Sequence, residues 1–312
     1  MRASVAAKRS GAWVGAVDAG PSAPVRFLVD RFWFVPRCSD PSFGETVFDL
    51  CSENGIGLVV PTIDTELPIY ARNRDRFADA GTAVCISGER TIAIACDKHA
   101  TSAWLTANGF PTVRQASPAD VLAHPAGWTF PLIAKPHDGS ASIGVRKLEG
   151  PRDLEYLALS QPSYIVQELA RGREFTINLF VNRHGRCVCA VPHWRIEVRA
   201  GEVSKGLTVK DERLMDLGRR VVEALPDARG AMNLQCFLDN DGRLAIIEIN
   251  ARFGGGYPLA HNAGARFTDW LLDEQDGLEI EPYEDWTDNL AMLRFDDAVF
   301  VDGSSLKCPS PK

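Results

Sequence analysis

Long apolar runs are missing from this 312-residue chain, so a membrane-spanning helix is not expected. Excess positive charge is missing too: 34 Lys and Arg stand against 41 Asp and Glu, a formal net charge of -7. Broad nucleic-acid binding, which needs a basic surface, is therefore not expected, and any anionic ligand must be met by local Lys and Arg. The eight cysteines are scattered with no paired CxxC framework, and none of the six histidines is spaced with another in a zinc-binding pattern. With no recognisable signal peptide, these read as reduced thiols of a cytoplasmic protein. No GxxxxGK[ST] occurs, which excludes a Walker A nucleotide loop. Internal repeats and coiled-coil heptads are absent as well.

What is present is enough apolar residue, 45% of the chain, to build two or three lobes. The first third alternates apolar runs and helical stretches: a helix end at 1–9, a strand at 12–18, an apolar run at 27–35, helices at 43–55 and 67–80, and a GLVVPT strand between them. That rhythm predicts a parallel sheet covered by helices. Asp97 then caps a helix, and strands are expected at 130–135, 143–148 and 164–168. Beyond 170 the pattern becomes antiparallel: 174–181 and 187–191 flank one Gly-containing turn, and 232–238 and 244–250 flank another. An amphipathic helix at 211–225 separates the hairpins, a helical run is expected at 267–272, and 289–301 adds terminal strands.

The stretch richest in chemistry is 244–256, an apolar run ending in Glu248, Asn250, Arg252 and Gly254-Gly255-Gly256. Side chains two apart on a strand share a face, so Glu248, Asn250 and Arg252 point the same way. Two oxygen donors side by side suit a hard cation such as Mg²⁺, and a neighbouring guanidinium suits the phosphate it carries. By itself this stretch reads equally well as a strand ending in an exposed turn. A second element is Pro131 to Lys135, a buried strand delivering a lysine to the loop Asp138 to Gly144, whose backbone N–H groups can wrap phosphate oxygens. A third is Gln167-Glu168-Leu169 with Glu174 six residues on, two acids near one loop that can divide an adenine and a ribose. Across the second hairpin, Asn233 or Gln235 can face the side of Glu248 and complete a metal sphere.

Taken together and in this order, Asp97-Lys98, Pro131 to Gly144, Gln167 to Glu174, Asn233 to Gln235 and Glu248 to Arg252 resemble the ATP-grasp enzymes, most of all the carbamoyl-phosphate-synthase-like branch of carboxylate–amine ligases. The resemblance implies an α/β and α+β protein: an ATP-grasp fold of two α+β subdomains gripping ATP, preceded by a partial Rossmann-like pre-ATP-grasp domain. The implied domains are 1–95 (pre-ATP-grasp, lacking its first strand), 96–168 (lysine and Gly-loop lobe) and 169–312 (metal and catalytic lobe). A truncated or misplaced start would explain the missing strand.

By the same resemblance, ATP would contact Lys98, Lys135, Ser140, Gly144, Gln167, Glu168, Leu169 and Glu174, the last on the ribose. Gln235, Glu248 and Asn250 would hold Mg²⁺ or Mn²⁺. Arg252 and Lys135 would act on the phosphoryl group in transit, and Gly254 to Gly256 would let substrate approach the backbone. On the acceptor side, Arg195 and Arg199 share a strand face and suit a carboxylate clamp, so Arg195 and Lys205 rank as substrate or phosphate contacts, against an alternative of a solvated basic hairpin. Asp64 and Glu66 either touch the amine or cap the following helix. The implied activity is an ADP-forming ligase that makes an acyl phosphate and joins it to an amine, with small-molecule carboxylate and amine as partners and a homodimer as a candidate assembly. The alternatives are an acyl-phosphate-forming subunit and a nucleotide-binding regulatory protein.

Overall fold

In the computed structural model, which describes residues 1–139, 143–161 and 163–306, the chain opens with α1 (Arg2–Lys8), β1 (Gly15–Asp18), β2 (Arg31–Phe34), α2 (Phe43–Asn54), β3 (Leu58–Val59), α3 (Leu67–Asp79) and β4 (Ala83–Val84). α2 buries Phe43, Val47 and Cys51, one residue per turn on a single stripe, and Gly55 at φ +61° closes it in the left-handed conformation. The strands are parallel, as the alternation predicts, but they form two separate pairs, β1 with β2 and β3 with β4. The expected single sheet is thus divided. β3 is two residues long and is followed by Val60 and Pro61, which has no N–H for a ladder.

The next elements are α4 (Glu89–Cys96), α5 (Lys98–Ala107), β5 (Gln115–Ala116), α6 (Pro118–Ala123), β6 (Leu132–Pro136), β7 (Arg146–Leu148), α7 (Pro151–Ser160) and β8 (Tyr164–Glu168). Asp97 caps α5, accepting from the backbone N–H groups of His99 and Ala100. The four strands form an antiparallel sheet in the order β5-β8-β6-β7. One face carries the alternating apolar residues Leu132, Ala134, Val166 and Leu148 onto Val121 of α6 and Leu154 and Leu157 of α7. The opposite face, with Ile133 and Lys135, is left for other work.

The chain continues through β9 (Arg173–Val181), β10 (Cys187–Arg199), β11 (Glu202–Thr208), α8 (Glu212–Ala224), β12 (Gly230–Leu238), β13 (Leu244–Asn250), α9 (Tyr257–Asn262), α10 (Phe267–Gln275) and β14 (Ala291–Leu293). These strands make a six-stranded sheet, β13-β12-β9-β10-β11-β14, antiparallel at every pairing. α8 lays Leu214, Met215, Leu217, Val221 and Val222 on it, all buried. Each such side chain is worth roughly 1.5–3 kcal/mol against exposure. A Cβ at Gly218 would stand 3.0 Å from both Ile177 and Leu179, so the glycine sets how closely the helix sits.

Two compact units result: Met1–Ile86 with Arg266–Ile280 and the segment from Phe295 onward, and Ser87–Ala265 with Glu281–Arg294. This division differs from the expected 1–95, 96–168 and 169–312, because α10 returns to α1. The hydroxyls of Ser4 and Thr268 are 2.7 Å apart, and Lys8 and Arg9 pair with Asp273 and Asp276 at 2.5 and 2.7 Å. The terminal strands expected over 289–301 reduce to β14. No helix among the described residues is long and apolar enough to cross a membrane.

Candidate functional site

Within the second unit, a cavity of about 270 Å³ is lined by both sheets. From the four-stranded sheet, α5 and the residue after β8 come Lys98, Ile133, Lys135, Gln167, Glu168 and Leu169; from the six-stranded sheet and the loop after β13 come Glu174, Arg195, Gln235, Glu248, Asn250 and Arg252. Of the residues singled out from sequence, Gly144 is not among the lining side, and Ser140 lies outside the described residues. Gly144 instead turns the chain between β6 and β7 at φ +77°, where a Cβ would strike the Tyr164 hydroxyl.

Lys135 reaches the cavity because β6 alternates: Leu132 and Ala134 face the core, and Ile133 and Lys135 face the other way. Its ammonium is buried, and burial lowers its pKa to about 8, with Lys98 adding to the shift while Glu248 and Glu174 oppose it. Lys98 heads α5, where its backbone N–H donates to His137 O at 2.9 Å and its ammonium donates to Gly139 O. This ties the helix start to the loop after β6. Gln167 is fixed at 6% exposure by donating to Gln115 Oε1 at 2.7 Å, and Gln115 in turn donates to Lys98 O at 3.1 Å.

On the six-stranded side, Gln235 stands opposite Glu248 and Asn233 opposite Asn250. Gln235 pairs with Glu248 and Cys236 with Ile246, which leaves Ile247 as an extra residue: a β-bulge. Strict alternation would hide Ile247, yet it lines the cavity beside Glu248. Beyond the bulge the alternation resumes, so Glu248, Asn250 and Arg252 share the cavity side as expected. Asn250 Nδ2 donates to Asn233 Oδ1 at 3.2 Å, and Asn233 Nδ2 donates to Arg252 O at 3.0 Å. Asn233 is therefore a brace rather than a partner of Glu248. With its nitrogen engaged, Asn250 keeps its amide oxygen for a ligand. One carboxylate and two amide oxygens on adjacent strands suit a hard cation; among the described residues no group of three or more His, Cys, Asp and Glu side chains is arranged to hold a metal.

Arg195 is 9% exposed and not part of a solvated hairpin. Its Nε stands 3.0 Å from Glu174 Oε1, Nη1 donates to Thr176 Oγ1 at 3.1 Å and Nη2 donates to Gly201 O at 2.7 Å. Burial raises the Glu174 carboxyl above its ordinary range, Arg195 pulling against that and Glu248 adding to it. Arg199 does not join Arg195 at the cavity, because shifts in the β10–β11 register between Arg195 and Val198 break the alternation. Lys205 is half-exposed, pairs with Glu197 Oε2 at 2.6 Å and does not line the cavity. Glu66, in the other unit, accepts from the N–H groups of Thr62 and Ile63 at 2.6 and 3.1 Å, which closes the 3-10 turn Asp64–Glu66 and leaves α3 without a side-chain cap from Glu66.

The three glycines accommodate protein side chains as well as lining the cavity. A Cβ on Gly255 would fall 2.0 Å from Glu202 Oε2, and one on Gly256 would fall 2.6 Å from the His193 ring. His193 is fully buried, accepts at Nδ1 from Asn178 Nδ2 at 3.1 Å and is held neutral, its pKa lowered to about 3 by burial and by Arg195. Glu202 and Thr176 escaped the sequence reading. Thr176 was legible in principle, two residues from Glu174 on one strand; Glu202 was not, since its position depends on the hairpin and the glycine loop meeting.

Comparison with known proteins bears on this geometry. A family model described as an ATP-grasp domain matches residues 95–256, and one described as a PylC-like N-terminal domain matches residues 3–85. A D-alanine–D-alanine ligase of Pseudomonas entomophila is 31% identical over 189 residues, covering 54% of this chain and 58% of the relative. This chain thus spans little more than half the length of that curated relative. Among solved structures, biotin carboxylase from Campylobacter jejuni has a TM-score of 0.74 at 15% identity, over 93% of this chain and 71% of the other. N5-carboxyaminoimidazole ribonucleotide synthetase from Thermotoga maritima has a TM-score of 0.65 at 19% identity, over 90% and 74%. These share the fold with the chain. None of the three belongs by name to the carbamoyl-phosphate-synthase branch suggested by the sequence.

Proposed function

From the premise that this chain belongs to the ATP-grasp family, we propose that it is an ATP- and Mg²⁺-dependent ligase that activates a small carboxylate as an acyl phosphate and joins it to an amine. The observation that carries this reading is the convergence of Lys98, Lys135, Gln235, Glu248, Asn250 and Arg252 on one cavity. Phosphoryl transfer spreads charge over the equatorial oxygens, so catalysis is mostly positioning and cations. Lys98 and Lys135 would meet the phosphates, Gln167 to Leu169 the adenine and Glu174 the ribose. Glu248 with the amide oxygens of Gln235 and Asn250 would hold Mg²⁺, which screens phosphate charge when bound. Arg252 would steady the phosphoryl group in transit. Arg195, locked to Glu174, Thr176 and Gly201, would act by holding that wall in place.

In the first half-reaction a substrate carboxylate oxygen attacks the γ-phosphorus and the bond to ADP breaks. In the second, the amine nitrogen attacks the acyl carbon, phosphate leaves and the nitrogen loses a proton. The test is an ADP-release screen over small carboxylates with hydroxylamine as trap. Trapped hydroxamate supports the reading; ADP release with every acid but no hydroxamate would remove the acyl phosphate, and no ADP with any acid would remove the ligase.

A further inference from the structure

Glu202 is an acid of the cavity wall with no cation paired to it among the described residues. It opens β11 after the two-residue turn Ala200-Gly201, whose positive φ values of 50° and 81° suit a tight hairpin. Its carboxylate lies over the backbone of Gly255, where an added Cβ would fall 2.0 Å from Oε2 and would push the carboxylate aside. It lines the cavity, and among the described residues it makes no hydrogen bond or ion pair, although Arg199 stands opposite it in the hairpin. Glu174, by contrast, is paired with Arg195, and Glu248, opposite Gln235 on the neighbouring strand, belongs to the oxygen donors proposed for the cation.

We propose that Glu202 is a specificity-determining residue that receives a substrate ammonium group, so that the acid activated at this site is an amino acid. Glu202 is half-buried and faces the cavity, so its carboxylate can accept from a cationic group that enters there. A magnesium ion is the poorer candidate, because the oxygen donors suited to it lie on β12 and β13 and no cluster of three acids exists among the described residues. An ammonium needs one carboxylate and tolerates a single-sided contact. Arg252 lies three residues before Gly255 on the same loop and also lines the cavity. A guanidinium on the glycine loop and a carboxylate that β11 brings against Gly255 of that loop match the two ends of a zwitterion: Arg252 meets the carboxylate that ATP will phosphorylate, and Glu202 meets the ammonium. This rests on the ligase reading above and adds to it the class of acid.

The test measures binding directly. Wild-type protein with AMP-PNP and Mg²⁺ is titrated with the twenty L-amino acids and D-alanine, and with the desamino or hydroxy acid of each skeleton; Glu202→Gln and Glu202→Asp follow with the best binder. At least one amino acid is expected to bind at least 10-fold more tightly than its desamino counterpart. Glu202→Gln weakens it at least 10-fold and erases the discrimination, while Glu202→Asp, which keeps the charge, retains it. Equal binding of amino and desamino acids, an unchanged Glu202→Gln, or AMP-PNP binding with no amino-acid response would each overturn the proposal while leaving the ligase reading standing. Failure of AMP-PNP itself to bind removes both.

Discussion

Arg195 Nε stands 3.0 Å from Glu174 Oε1, and the same guanidinium reaches Thr176 and Gly201, so one buried cation joins β9, β10 and the hairpin turn. Removing it leaves a carboxylate in a poorly hydrated wall. Arg195→Ala is expected to cost about 3–5 kcal/mol at pH 7.5, and Arg195→Lys, which keeps the charge, less. Burial already raises the Glu174 carboxyl above its ordinary 4.5, and loss of Arg195 raises it further. An acid with a raised folded value binds more protons folded than unfolded, so stability falls as pH climbs through that window. Urea unfolding should therefore show the Arg195→Ala deficit shrinking from pH 7.5 toward pH 5; a deficit independent of pH would mean lost packing alone.

Lys135 titrates in the opposite sense. Its pKa of about 8, against an ordinary 10.5, means that the free folded protein binds fewer protons than the unfolded chain between these values. The stability of the parent relative to Lys135→Met should rise with pH across that window, by as much as about 3 kcal/mol. Nucleotide binding should do the reverse, since phosphates need the ammonium. AMP-PNP affinity is expected to fall by nearly tenfold per pH unit above pH 8 in the parent and to stay flat in Lys135→Arg. Calorimetric titration between pH 7 and 9.5 checks both slopes.

Glu248 and Arg252 share the cavity side of the chain beyond the bulge. Glu248→Ala and Arg252→Ala should each lower the rate of ADP formation by about 100-fold or more, with nucleotide still bound through Lys98, Lys135 and Gln167. Turnover equal to the parent in both variants would show that the site is misassigned. The Mg²⁺ dependence separates them: Glu248→Ala should need much more Mg²⁺ for half-maximal nucleotide binding, and Arg252→Ala should not.

Local rules made much of this legible. The two-residue period of β6 and β13 placed Lys135 and the Glu248, Asn250 and Arg252 series, and a lone aspartate before an apolar helix placed the Asp97 cap. What escaped depends on meetings between distant segments. Ile247 enters the cavity because β13 has one residue more than β12 across the bulge, which alternation cannot reveal. α10 leaves the expected catalytic lobe because Ser4, Lys8 and Arg9 meet it some 260 residues on. Arg195 reads as an open cation in sequence, and only the fold supplies Glu174, Thr176 and Gly201 around it.

The glycine loop separates a steric role from a chemical one. Neither Gly255 nor Gly256 has a positive φ, so alanine meets no backbone strain at either position and the neighbours decide the outcome. At Gly255 the obstacle is the end of the Glu202 side chain, which can rotate aside; at Gly256 it is the ring of His193, fully buried and pinned by Asn178. Gly256→Ala should therefore lower stability by about 1–3 kcal/mol, as overpacking does, and Gly255→Ala by less. Activity should order them the other way relative to stability: Gly255→Ala displaces the cavity carboxylate and raises KM for the acid more than its small stability loss explains. Pairing Gly256→Ala with His193→Ala should restore part of the lost stability, since the added methyl then enters the space the ring vacates. No recovery in that double variant would place the conflict elsewhere, with Val203, whose Cγ1 would lie 2.9 Å from the new Cβ, as the remaining neighbour.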